Sequence, residues 1–231
     1  RVSQFWTFKA SAGNLATFPT TVFQAWMLRQ PGEWYADLRQ SCADLQASLP
    51  ATPAGVLAER QLENLLQRAR RCLTGDAAAL ATLEAAWQQS PQPLALRSLL
   101  QLYAGADTRY LNYYGPVRTV WTVPYVQALR GEGPELAGKI VLVGFSDEFQ
   151  PEQKDGFYSV FSDHTGLDIS VVEVAATAVA NMLDGTAIRP LSFPAELFVI
   201  GFWGLLVGGF CRVLTPLAAI AFSLCAVPLY A

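Results

Sequence analysis

The sequence predicts an α/β fold with a partly parallel sheet, flanking helices and a helical insertion, followed by a transmembrane helical hairpin. Three observations carry that expectation. Lys139–Phe145 (KIVLVGF) is a continuous, β-branched-rich apolar run, the pattern of a strand buried on both faces. Leu62, Leu65, Leu66, Ala69 and Leu73 recur at helical spacing within a longer helical region. From Pro194 onward, two stretches long enough to cross a bilayer carry almost no charge.

Taken in order, Val2, Phe5, Trp6 and Phe8 suggest a short strand, and a helix is expected from Pro19 to Arg29. Residues 33–104 read as helical: Glu33–Leu49, then Val56–Leu73 closed by Gly75, then Ala77–Gln89 with Asp76 as its N-cap. Pro91 and Pro93 break the chain before a last helix, Leu94–Tyr103. Arg68, Arg70 and Arg71 crowd a helix C-terminus, where the dipole favours cations, and are expected to form a solvated helix end.

The α/β part, about residues 110–185, holds a short helix at Tyr125–Leu129 and the strand Lys139–Phe145. A polar loop, Ser146–Thr165, and a helix from about Asp168 to Leu183 follow. At ~100° per residue, Ser170, Glu173, Thr177, Asn181 and Asp184 fall on one narrow polar stripe of that helix, with apolar residues elsewhere. Ser170 and Glu173 also have the S-x-x-E spacing of a capping box, which would close the helix start.

The 231 residues carry a net charge of −3 with no long single-sign run, so nucleic acid is not an expected partner. The four cysteines, at 42, 72, 211 and 225, form no C-x-x-C pair, and the one histidine, His164, is remote from them, which argues against zinc. A plain helical hairpin turning near residues 50–55 sets Cys42 opposite about residue 63, leaving Cys72 on the order of 13 Å away. Two separate thiols are the favoured expectation, with pairing in an oxidising compartment the open alternative.

Residues 194–211 contain one charge, Glu196, and 18 residues of helix span ~27 Å, close to the hydrocarbon thickness. A second helix is expected over 213–231. Gly201, Gly204, Gly208 and Gly209 suit close helix packing in lipid. Arg212 between the stretches places that turn in the cytoplasm, and hence residues 1–190 outside it. Pro190 and Pro194 stiffen the linker into the membrane.

Three elements in order, Leu111–Pro116 with Val123–Leu129, Gly138–Gly144 and Gly166–Leu183, resemble the second type of the cyclase/histidine-kinase-associated sensory extracellular (CHASE) domains. The resemblance covers about residues 95–231 well and the first 95 poorly. It implies an extracytoplasmic sensor in a bacterial inner membrane, truncated at both ends and working as a homodimer. It further implies that the stimulus passes to a cytoplasmic nucleotide cyclase or protein kinase, the cyclase-linked branch being nearest in wording. The competing expectation is a structural or assembly membrane protein whose ectodomain binds partners without switching.

No catalytic residue is expected. Ser146 with His164 and Asp155 or Asp163 would imitate a hydrolase triad, but Gly144–Glu148 lacks the second glycine of a nucleophile elbow. The acids between Asp147 and Glu173 match no calcium loop, so neither a metal nor a cofactor is expected. The ligand-facing candidates are Asn112, Arg118, Ser146, Asp147, Asp155, Asp163 and His164, meeting a small-molecule or protein stimulus. The relay candidates are Glu173, Thr177, Asn181, Pro190 and Pro194, with membrane lipid as the remaining partner.

Overall fold

The computed structural model describes residues 1–133, 135–146, 156–186, 188 and 191–213. Its contacts divide the chain into Arg1–Ile188 and Arg189–Ala231. The first unit opens on strands β1 (Gln4–Trp6) and β2 (Phe8–Lys9), a 3-10 turn (Ala10–Ala12) and β3 (Leu15–Ala16). Helices follow: α1 (Phe18–Met27), α2 (Trp34–Ser41), α3 (Ala43–Ser48), α4 (Pro53–Ala58), α5 (Leu62–Gly75), α6 (Ala77–Trp87) and α7 (Pro93–Ala104). Then come β4 (Thr108–Tyr110), α8 (Tyr125–Leu129), β5 (Gly156–Phe157), α9 (Ser162–Thr165), β6 (Ile169–Ser170) and α10 (Val171–Asp184). The second unit contributes α11 (Phe193–Val213).

The helices form where spacing and caps require them. α5 buries Leu65, Leu66, Ala69 and Leu73, the stripe read from the sequence. The Asp76 carboxylate accepts from the Ala78 and Ala79 N–H groups at 2.9 and 3.1 Å, a cap worth ~1 kcal/mol. α10 packs on α1 and α7, so that Val179 and Met182 share one core with Phe23, Met27, Leu99 and Tyr103. That core positions the site, because it buries one side of α10 and leaves the opposite side to the segment after β4.

Arg68 and Arg70 are tied into the fold, unlike a merely solvated helix end. Arg68 donates to both Asp44 oxygens at 2.7 Å, and Arg70 pairs with Asp107 while its guanidinium lies 4.4 Å from the Phe8 ring centre.

Two expectations are corrected. Cys42 and Cys72 form a disulfide, with Cα atoms 6.0 Å apart. The hairpin estimate failed because the region is not two straight helices. The backbone at Cys42 is extended (φ −126°, ψ 95°) and separates α2 from α3, while α4 and a left-handed Arg60 (φ 56°) intervene before α5. The helix register that put residue 63 opposite Cys42 therefore does not apply.

The parallel sheet is the second correction. Among the described residues each sheet is two-stranded and antiparallel: β1 with β4, β2 with β3, and β5 with β6. Lys139–Phe145 is assigned to no strand, although Ile140 and Leu142 are half-buried and Val141 and Val143 exposed, the alternation of period two. Burial on both faces, inferred from its continuous apolar run, is not what these residues show; the fold is mainly helical with small sheets.

α11 has 21 residues, ~31 Å of helix, and its window Phe193–Phe210 is long and apolar enough to cross a membrane. The second membrane helix, expected over 213–231, lies outside the described residues but for its first.

Candidate functional site: a loop latched to helix α10

α10 begins where Ser170, with an extended backbone (ψ 153°), accepts the Glu173 N–H at 3.4 Å. The capping box is only half made. The Glu173 side chain does not reach back to its own helix start; its carboxylate accepts the backbone N–H of Arg118 at 2.5 Å, and that of Val120. Arg118 presents its N–H from a left-handed backbone (φ 68°).

Two turns later Asn181 grips the same segment at its other end. Its Oδ1 accepts from the Asn112 N–H at 2.8 Å, and its Nδ2 donates to the Asn112 carbonyl at 2.9 Å. The Asn181 amide thus behaves as one rung of a sheet, satisfying both backbone groups of one residue. At the last residue of α10, Asp184 accepts from the Tyr114 hydroxyl at 2.6 Å. Gly185 then ends the helix in the left-handed region (φ 64°), which favours glycine.

The polar stripe of α10 is therefore a latch on residues 112–120. Glu173, Thr177 and Asn181 are 6%, 2% and 3% exposed, and a buried polar group costs free energy unless it is paired. Thr177 is satisfied within the helix, its hydroxyl donating to the Glu173 carbonyl at 2.9 Å.

Burial pushes the Glu173 carboxyl above the usual carboxylate range, against the opposing pull of the Arg118 and Val120 N–H groups and the Arg118 charge. Because the folded pKa exceeds the unfolded one, the group's contribution to stability is fully present below the unfolded value. It is lost as pH rises through the folded value. Glu173→Gln is expected to flatten the fall in stability from about pH 4.3 upward. Urea midpoints across that range check this; an unchanged slope would place its source elsewhere.

Beside the latch lies a cleft of about 380 Å³, with Val120, Trp121, Val143, Val172 and Glu173 among its lining residues. The Lys139–Phe145 segment approaches α10 closely here: a Cβ on Gly144 would come within 2.7 Å of the Val172 Cβ.

The structure brings Asn112 together with Asn181 through its backbone groups, and Arg118 together with Glu173 through its backbone N–H and its side-chain charge. Ser146 is exposed and lines the cleft. Asp163 is remote from the latch in role: it pairs with Arg1 and accepts from the Tyr158 hydroxyl. His164 lends its backbone to α9, while its side chain lies outside the described part. Asp147, Asp155 and Pro190 lie outside the described residues; Pro194 sits in the first turn of α11. Tyr114 was missed as a candidate, and its position two residues after Asn112 in an aromatic pair was the available signal.

The polar face of α10 clamps one loop, and a few residues further along the chain begins an apolar helix long enough to cross a membrane. The chain belongs to the CHASE2 domain family, whose model matches residues 39–209. That family comprises extracellular sensory domains of signalling receptors. The match reaches well into the helical region, further towards the N-terminus than the motifs that carry the resemblance. No curated protein and no solved structure matches the chain.

Proposed function

We propose that residues 1–190 lie outside the cytoplasm of a bacterial cell, sense a stimulus, and relay it through α10 to α11, which crosses the inner membrane towards a cytoplasmic nucleotide cyclase or protein kinase. The observation that carries this reading is the latch. Residues 112, 114, 118 and 120 are held by three side chains of one helix, so a stimulus that shifts the loop acts on the helix leading towards the membrane. The Cys42–Cys72 disulfide supports the location, since such bonds persist in oxidising compartments.

Glu173, Thr177 and Asn181 serve as relay residues, and Pro190 and Pro194 stiffen the connection by fixing backbone angles. Replacing both prolines by glycine in the full-length receptor is expected to abolish stimulus-dependent output. Normal regulation in that double variant would end the stiff-linker account. A reading frame that closes soon after residue 231 would leave no output to drive, and would favour an anchored, partner-binding ectodomain.

A further inference from the structure

The helical part holds a second cleft, of about 200 Å³, between the start of α2 and the turn from α6 to α7. At ~30 Å³ per water it has room for roughly seven waters, which suits a molecule of few non-hydrogen atoms rather than a drug-sized one. Two buried indoles line it: Trp34 and Trp87 meet edge to face, with ring centres 6.4 Å apart. Their N–H groups fare differently. Trp87 Nε1 donates to Asp37 Oδ2 at 3.2 Å, whereas the buried Trp34 Nε1 has no acceptor among the described residues. A buried donor without an acceptor costs free energy and is rare in a folded protein. The pyrrole edge of Trp34 borders the cleft: Cδ1, the carbon bonded to Nε1, would lie 3.8 Å from a Cβ on Gly32, itself a lining residue.

Glu33 and Asp37, four residues apart at the start of α2, also line the cleft, and no Lys, Arg or His does. Neither carboxylate has an ion-pair partner among the described residues. The α2 dipole accommodates acids there, so charge by itself would not mark a site; the unmet indole donor is a separate demand on the same cleft. A metal ion would answer the charge but cannot accept a hydrogen bond, and no group of three or more His, Cys, Asp or Glu gathers as ligands among the described residues. We propose that this cleft binds a small primary ammonium ion that carries a neutral acceptor oxygen, an amino alcohol or amino amide. The ammonium donates to Glu33 and Asp37, and the oxygen accepts from Trp34 Nε1. A zwitterion would bring a third carboxylate to two, and a neutral polyol would leave both charges unanswered.

The test titrates the whole chain in detergent micelles with ethanolamine and with glycinamide, by calorimetry and by the indole N–H magnetic resonance signal that Trp34→Phe removes. Both probes are expected to shift that signal to saturation, with dissociation constants of about 1 mM or below. Ethylamine, which lacks the oxygen, should bind the parent about five-fold more weakly than ethanolamine, the worth of one hydrogen bond. That preference should vanish in Trp34→Phe, which keeps an aromatic ring but not the donor. Asp37→Asn keeps an acceptor for Trp87 Nε1 and removes the charge, and ethanolamine should bind it on the order of ten-fold more weakly, with the far-UV circular dichroism retained.

No saturable response to either amine, or an equal response to sodium chloride at matched ionic strength, would overturn the proposal. Glycolate or ethylene glycol binding as tightly as ethanolamine would overturn it too, as would an ethanolamine preference that survives Trp34→Phe. If Trp34→Phe does not fold, the comparison of probes on the parent and on Asp37→Asn still decides. Binding is read without any output, so this site and the relay stand or fall separately.

Discussion

Replacing Cys42 and Cys72 together by Ala is expected to lower the unfolding free energy of the ectodomain by about 3–4 kcal/mol. The bond closes a loop of 30 residues, and the entropy removed from the unfolded chain by a loop of that length sets the figure. It joins the end of α2 to α5 across α3 and α4, so without it the short helices α3 and α4 are held by packing alone. Helices of six residues are marginal by themselves, and the loss should appear first there. Urea unfolding with and without dithiothreitol checks both parts. The reductant should weaken the parent protein by nearly the same amount and leave the double variant unmoved. Equal midpoints for parent and variant would show that the bond adds nothing to stability.

Asn181→Leu is expected to cost roughly 2–4 kcal/mol and to free the 112–120 segment. The substitution keeps approximate volume but removes the acceptor for the Asn112 N–H and the donor to its carbonyl. Each backbone group left without a partner in a partly buried place costs ~1–3 kcal/mol, which is why an apolar replacement is worse than the simple loss of two hydrogen bonds. Limited proteolysis should cut between residues 112 and 120 faster in the variant, while the α5–α7 region keeps its resistance. In the full-length receptor the same change should separate stimulus from output, because the loop no longer bears on α10. A variant with parental stability and proteolysis would mean that the latch is incidental to the fold.

Glu173 and Asn181 show how much of the site could be read beforehand. Their placement on one face of a helix follows from spacing alone, and the structure finds both on a buried polar stripe. What that stripe faces could not be read from spacing, since a polar face signals only that something polar lies opposite. Asn112 and Arg118, expected to face a ligand, turn their backbone N–H groups towards α10 side chains. Thr177 sits on the same stripe yet turns its hydroxyl into its own helix.

Elements that depend on a window of neighbouring residues were within reach of the sequence by itself: the α5 stripe, the Asp76 and Ser170 caps, α8, α10 and the charge-poor α11. Their causes, periodicity, capping and length without charge, are local. Tertiary structure alone decided three things: that Cys42 meets Cys72, that Lys139–Phe145 joins no sheet among the described residues, and that the α10 stripe closes on residues 112–120. Each depends on the path between distant residues, and that path turns on single backbone angles. The extended Cys42 and the left-handed Arg60 redirect whole helices while leaving the apolar pattern around them unchanged.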